Sequence, residues 1–127
     1  MNFLVIEDDK SSRGLVKKLL QKEFPIATIY ELENGIGALD YIGLFNVDLV
    51  ITDVMMAYAD GVSTTKITER FPEIPVILIS GSQEHISQWR ELGASVGVLK
   101  PINARDLMVK VHELLEKKGS QNDSSYY

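Results

Sequence analysis

Residues 3–9, FLVIEDD, form an apolar run that ends in three acids. The run has the length and the β-branched content of a strand but no polar alternation, which is typical of a strand buried on both faces of a parallel sheet. Two later runs have the same form: residues 49–53, LVITD, end in an acid, and residues 96–101, VGVLKP, end in a lysine and a proline. Because open α/β folds bind ligands at the carboxyl ends of such strands, these charged residues predict a functional site.

Length, charge and composition limit the kinds of protein this chain can be. Its 127 residues suit one domain, and its 45% hydrophobic content is ordinary for a globular protein. The net charge of −5 argues against nucleic acid or an anionic membrane as a direct partner. The absence of cysteine excludes disulfides and thiolate metal sites. With no signal-peptide pattern and no apolar run of membrane length, we expect a cytoplasmic protein.

Strand-like runs alternate with helix-like patterns along the chain. Strands are predicted over residues 3–6, 27–32, 48–52, 76–79 and 96–99, and apolar residues at helical spacing predict a helix after each of them. The fourth helix is marked by Ile86, Trp89 and Leu92 and should stop at Gly93, and the fifth should begin at an N-cap, Asn103, and end near Lys118. This alternation predicts an α/β fold, a flavodoxin-like doubly wound five-stranded parallel sheet of order 2-1-3-4-5 with five helices.

The residues at the predicted strand ends suggest phosphoryl chemistry. Glu7, Asp8 and Asp53 would meet at the switch point between strands one and three, and crowded carboxylates with no sulfur ligand suit Mg²⁺. A carboxylate can also act as a nucleophile toward phosphorus if the phosphoryl charge is neutralised. Lys100 is the obvious ammonium for that role, and the hydroxyl of Ser80 could donate to a phosphoryl oxygen.

Each of these residues also has a purely structural interpretation. Asp8 or Asp9 could cap the first helix, and for Asp9 we favour the cap over a metal ligand. Asp53 could hold a turn, Lys100 could be solvated, and Ser80 could cap a helix. Their joint placement at the ends of successive strands favours a functional site over these separate structural roles. Pro101 restricts the backbone at Lys100 and raises the question of a cis peptide bond there.

The chain resembles the receiver domain of two-component response regulators. The matching pieces are residues 4–9, 48–56, 60–61, 77–81, 93–94 and 99–101, so the likeness extends from residue 1 to about 118. The resemblance implies that Asp53 accepts a phosphoryl group from a sensor histidine kinase or a phosphotransfer protein. It also implies a Mg²⁺ ion held by Glu7, Asp8, Asp53 and the backbone carbonyl of Met55. Ser80 would be the switch hydroxyl and Lys100 the phosphate-binding lysine.

The resemblance also implies how the domain would be organised and used. Residues 1–118 would be the receiver and residues 119–127 a polar, flexible tail. Such a domain catalyses only its own phosphorylation and dephosphorylation and is not otherwise an enzyme. It would contact a downstream protein through the face of helix 4, strand 5 and helix 5, and a phosphorylation-dependent homodimer is a further option. In this chain that face would include some of the residues His85, Gln88, Arg90, Arg105, Lys110 and His112.

Two positions bear on how the signal would be passed on and on how long the phosphorylated state would last. The family usually has an aromatic residue three positions before the lysine, but this chain has Gly97, which cannot supply a rotamer switch. Trp89 is a candidate to fill the vacated volume, but it could equally be a core or partly exposed contact. We expect the signal to pass through the loop at Ser80 and the fourth helix instead. Met55, two residues after Asp53, cannot orient an attacking water by hydrogen bonding, so the acyl phosphate should hydrolyse slowly.

Three alternatives remain for comparison. A degenerate receiver would act as an interaction module without phosphorylation; the complete acceptor set argues against it and Gly97 argues mildly for it. A flavodoxin would need a phosphate-binding loop after the first strand, where this chain has acids that repel an anion. A Mg²⁺-dependent phosphatase would have a second acid two residues after the nucleophile, where Met55 stands.

Overall fold

The computed structural model describes residues 1–53 and 66–124, with side chains described as far as residue 118. The helices and strands in these ranges alternate along the chain, as predicted. They are β1 (Asn2–Ile6), α1 (Lys10–Glu23), β2 (Thr28–Leu32), α2 (Ala38–Phe45), β3 (Leu49–Asp53), α3 (residues 66–70), β4 (Val76–Ser80), α4 (Gln83–Ser87), β5 (Val96–Leu99) and α5 (Ala104–Ser124).

The five strands form one parallel sheet in the order β2-β1-β3-β4-β5, which confirms the predicted topology. The register brings the carboxyl ends of the central strands to one edge, since Ile6 pairs with Thr52 and Asp53 pairs with Ile79. Ser80 pairs with Leu99, the residue before Lys100. The chain therefore leaves β1, β3, β4 and β5 at the same edge, beside one another.

The core has two layers, one on each face of the sheet. Alternate residues of β1 separate between them: Leu4 and Ile6 face the layer that includes Ile42 of α2, while Phe3 and Val5 face the layer of α1 and α5. All residues of β3 and β4 are buried. The absence of polar alternation in the sequence thus reflects burial on both faces, as expected for a parallel sheet covered by helices.

Side-chain caps begin α1 and α5 where the sequence predicts them. The carboxylate of Asp9 accepts a hydrogen bond from Ser12 N at 2.9 Å, and Oδ1 of Asn103 accepts one from Asp106 N at 2.9 Å. This agrees with our preference for Asp9 as a cap. The peptide bond between Lys100 and Pro101 is cis.

Two helices differ from the prediction in length. α4 ends at Ser87, because Gln88 N and Trp89 N bond to carbonyls three residues earlier and tighten the chain into turns that reach Gly93, whose φ is +83°. α5 continues to Ser124, beyond the predicted end near Lys118. The helix that the sequence predicts between the third and fourth strands is helical over the described residues 66–70, and its first part lies outside the described residues. Within the described ranges, no helix combines the length and the apolar character that a membrane crossing requires.

Candidate functional site

The ammonium of Lys100 joins two buried carboxylates at the carboxyl edge of the sheet. Its Nζ lies 2.6 Å from Glu7 Oε1 and 2.6 Å from Asp53 Oδ2. Glu7 is fully buried and Asp53 is 3% exposed, whereas the Lys100 side chain is 24% exposed. Three residues that the sequence places at the ends of three strands are therefore in direct contact, and the cluster is open to solvent on the lysine side.

Backbone contacts hold the two chain segments that carry this cluster. Glu7 N donates to the carbonyl of Leu32 at 3.0 Å, which extends the pairing of β1 and β2 by one residue past β1. Nη1 of Arg13, on α1, donates to the carbonyl of Glu7 at 2.8 Å, and Arg13 also pairs with Glu31 of β2 at 3.5 Å. On the other side, Lys100 N donates to the Ser80 carbonyl at 2.7 Å. Glu7 and Lys100 are thus each fixed by neighbouring strands.

The electrostatics of the cluster favour a charged lysine and a protonatable glutamate. Burial, followed by the neighbouring Asp53 carboxyl, raises the pKa of Glu7 to about 7, although Lys100 acts in the opposite direction. Burial tends to lower the pKa of Lys100, but its contacts with Asp53 and Glu7 outweigh this and raise it. When Glu7 is deprotonated, two carboxylates beside one ammonium leave an excess negative charge. A cation is the natural complement to that charge.

The acids also suit a divalent cation geometrically. Glu7, Asp8 and Asp53 each present a carboxylate oxygen, and these oxygens lie within 4.8 Å of one another. Oε2 of Glu7 is buried and has no hydrogen-bond partner among the described residues, so one carboxylate oxygen of the cluster has bonding capacity to spare. Asp8 is exposed at the rim. The donor set fits Mg²⁺, which takes oxygen ligands and keeps several waters. Met55, whose carbonyl was predicted as a further ligand, lies outside the described residues.

Ser80 occupies the end of β4 next to the cluster. It is fully buried, and its Oγ accepts a hydrogen bond from Ser82 N at 3.1 Å. Ser82 in turn is the N-cap of α4, where its Oγ accepts a hydrogen bond from His85 N at 3.4 Å. Sequence reasoning named Ser80 but missed Ser82 and Arg13. The spacing of Ser82 and His85 is that of an N-cap and its N3 residue, a signal that was present in the sequence.

Gly97 of β5 lies beneath α4. A Cβ atom at this position would lie 2.8 Å from Ile86 Cγ2, 3.3 Å from the Ile86 carbonyl oxygen and 3.5 Å from Trp89 Cδ1. Trp89 therefore lies near Gly97, as the sequence suggested, but Ile86 approaches more closely. Ile86 is 8% exposed, so this contact links α4 to β5 through a buried side chain.

Comparison with known proteins agrees with this arrangement. The family model of the response regulator receiver domain matches residues 3–112. The transcriptional regulatory protein CpxR of Escherichia coli K12 is 31% identical over 118 residues, a match that covers 91% of this chain and 49% of CpxR. The chain thus spans about half the length of the curated relatives it matches.

Solved structures give the same result. NtrX from Brucella abortus is 25% identical with a TM-score of 0.86, covering 98% of this chain and 28% of that one. The receiver domain of a DNA-binding response regulator (merR) from Colwellia psychrerythraea 34H is 29% identical with a TM-score of 0.81, covering 91% of this chain and 98% of that one. Sheet order, acid cluster and family match agree, and the chain belongs to the response regulator receiver domain family of two-component systems.

Proposed function

We propose that this receiver takes a phosphoryl group on Asp53 from a sensor histidine kinase or a histidine phosphotransfer protein. The observation that best supports this is the bridge of Lys100 between the buried carboxylates of Glu7 and Asp53, at 2.6 Å from each. A buried nucleophile beside an ammonium and a cation site has the surroundings that phosphoryl transfer needs. No catalysis beyond the domain's own phosphorylation and dephosphorylation is proposed.

In the transfer, a carboxylate oxygen of Asp53 attacks the phosphorus of the donor phosphohistidine. The new bond joins that oxygen to phosphorus, the bond from phosphorus to the imidazole nitrogen breaks, and the released imidazole takes up a proton. The ammonium of Lys100, already 2.6 Å from Asp53 Oδ2, would stay close to the phosphoryl oxygens and offset their charge. The 24% exposure of the Lys100 side chain supports the approach of a donor from this side.

The metal site would consist of Glu7, Asp8 and Asp53, with the carbonyl of Met55 as a further ligand. Bound Mg²⁺ would supply positive charge to the phosphoryl oxygens in addition to the charge of Lys100. Glu7 must be deprotonated to serve as a ligand. Because its pKa is about 7, the fraction of protein that can bind the metal should change with pH around neutrality. Asp8, at the rim, offers a carboxylate that stays accessible.

The response to phosphorylation would pass through Ser80 into α4. If the Ser80 hydroxyl turns toward the phosphate, it loses the hydrogen bond that it accepts from Ser82 N. Ser82 is the residue that caps α4. The packing of Ile86 on Gly97 then carries the change in α4 to β5. A downstream protein would read this change on the face of α4, β5 and α5. Arg105 and His112, two of the residues expected on that face, also line a groove between α1 and α5.

The first test is phosphorylation by a small donor. Wild-type protein incubated with acetyl phosphate or phosphoramidate and Mg²⁺ should gain one phosphoryl group by intact mass, and Asp53→Ala should gain none. Chelation of Mg²⁺ should abolish the adduct. Asp48→Ala, which removes an acid at the opposite edge of the sheet, is a matched control that should still be labelled. A folded wild type with no adduct from either donor or from a histidine kinase would favour the phosphorylation-independent module.

A further inference from the structure

Arg13 joins the segment that follows β1 to the edge strand of the sheet. It lies in the first turn of α1, and its Nη1 donates a hydrogen bond to the main-chain carbonyl of Glu7 at 2.8 Å. Nε of the same guanidinium lies 3.5 Å from Oε1 of Glu31 on β2. The other oxygen of that carboxylate lies 3.0 Å from Lys17 Nζ. Arg13 is therefore held by Glu31 on one side while it holds the backbone of Glu7 on the other.

The carbonyl that Arg13 binds belongs to the peptide between two of the acids of the cluster. The carbonyl of Glu7 and the N–H of Asp8 lie in one planar unit, so a bond to the carbonyl sets the orientation of the whole plane. Glu7 is fully buried, so water does not reach this carbonyl. A buried carbonyl that loses its donor is costly, and the backbone shifts to find another partner. Such a shift would move the residues that carry both carboxylates.

We propose that Arg13 is a positioning residue for the Mg²⁺ site and raises its metal affinity by holding the peptide between Glu7 and Asp8. The inference rests on the Mg²⁺ site of the proposed function. A guanidinium has no atom that binds a cation, and its positive charge repels one. The charge of Arg13 and its hold on the backbone therefore change the Mg²⁺ affinity in opposite directions. This opposition makes the positioning role measurable.

A role in stability alone predicts a different result. If Arg13 only joined α1 to β2, its removal would lower the free energy of unfolding and leave the Mg²⁺ affinity of the folded protein unchanged or slightly higher. Lys17 supplies the comparison within the same protein. It lies one turn further along α1 and pairs with the same Glu31 carboxylate, but within the described part of the chain it makes no hydrogen bond to Glu7.

The test measures Mg²⁺ binding by calorimetric titration at pH 8, above the pKa of Glu7 of about 7. Arg13→Met removes both the charge and the donors, and it should bind Mg²⁺ at least about fivefold more weakly than wild type, as expected when a group that orients metal ligands is lost. Arg13→Lys keeps the charge and one donor group, so its affinity should lie between the two. Lys17→Met loses the same charge and should bind Mg²⁺ as tightly as wild type or more tightly. Charge alone predicts the same direction for both methionine variants.

Stability is measured separately, because the Arg13 side chain is only 13% exposed and its replacement also removes structural contacts. Circular dichroism and urea unfolding without metal show that each variant is folded at the temperature of the titration. If Arg13→Met does not fold, Arg13→Lys decides, since it must still bind more weakly than wild type.

The titrations contain no phosphodonor, so they are independent of phosphoryl transfer to Asp53. Arg13 variants that bind Mg²⁺ as tightly as wild type would overturn the positioning role and leave the metal site in place. An equal loss of affinity in Lys17→Met would also overturn it, because that residue does not hold Glu7. A wild type that binds no Mg²⁺ would overturn the metal site itself and this inference with it.

Discussion

Gly97 and Ile86 are in such close contact that a methyl group on Gly97 would lie 2.8 Å from Ile86 Cγ2. Real side chains do not approach this closely, so any larger residue at position 97 must displace the Ile86 side chain. The contact joins α4 to β5. The N-cap of α4, Ser82, is hydrogen-bonded to Ser80, and β5 leads to Lys100. This chain therefore couples α4 to β5 by direct packing of an aliphatic side chain on a glycine.

We expect Gly97→Ala to destabilise the fold by about 1–2 kcal/mol, because Ile86 Cγ2 belongs to a branched, buried side chain that cannot simply swing away. Gly14→Ala in α1 is the matched control, since a Cβ at that position meets no atom within 4 Å. That change should stabilise by about 0.5–1 kcal/mol. Urea unfolding measures both. A Gly97→Ala protein as stable as wild type would contradict the close packing.

Mg²⁺ affinity should rise with pH around neutrality. The pKa of Glu7 is raised to about 7, so near pH 6 most of the protein carries a protonated Glu7 that cannot ligate, and near pH 8 most carries the carboxylate. Calorimetric titration with Mg²⁺ at several pH values measures this change. Glu7→Gln should bind more weakly and lose the part of the pH dependence that Glu7 causes. Parallel pH profiles for the two proteins would exclude Glu7 as the source.

The raised pKa of Glu7 also predicts that the stability of the metal-free protein depends on pH. A carboxyl group with a raised pKa in the folded state binds more protons folded than unfolded, so its contribution is full below the unfolded pKa and is lost as pH rises through about 7. The free energy of unfolding should therefore fall, relative to Glu7→Gln, by on the order of 1–3 kcal/mol between about pH 4.5 and 7.5. Chemical unfolding of both proteins in a metal-free buffer gives this difference. A difference that stays constant with pH would contradict it.

Removing the cap of α4 should loosen that helix locally. α4 has five residues, and Ser82 Oγ accepts a hydrogen bond from His85 N. Loss of such a cap costs about 1 kcal/mol, which corresponds to about fivefold faster amide exchange in residues 83–89 of Ser82→Ala. Ser87→Ala, at the other end of α4, serves as a control because the Ser87 hydroxyl donates to a carbonyl at an exposed position and caps no amide. Hydrogen exchange followed by mass spectrometry tests both.

The identity of the residue at position 55 should set the lifetime of the phosphorylated state. Met55 offers no hydrogen bond to an attacking water, so wild-type protein should lose its phosphoryl group more slowly than Met55→Asn. This prediction rests on the sequence, since Met55 lies outside the described residues. Decay of the phosphorylated mass after removal of the donor measures the two rates, and equal rates would contradict the prediction.

Much of the fold follows from local sequence signals. The apolar runs of β1, β3 and β4 predicted strands buried on both faces, and all three have that environment. Asp9 and Asn103 predicted the starts of α1 and α5, because a cap depends only on residues within one turn. The predicted end of α4 was wrong. Trp89 and Leu92 recur at helical spacing and pack against the core, but they lie in turns beyond the helix. A hydrophobic pattern alone does not distinguish these two cases.

What the sequence by itself determined is the set of strand ends and the residue types placed there, because parallel strands alternate with helices and must end at one edge. The contacts that give those residues their properties were decided by the tertiary structure. Lys100 meets Glu7 across 93 positions of sequence, and the burial that raises the pKa of Glu7 comes from neighbouring strands. The same holds for Ile86 on Gly97 and for the groove between α1 and α5. Periodicity reports which side of an element is buried, but only packing decides what it is buried against.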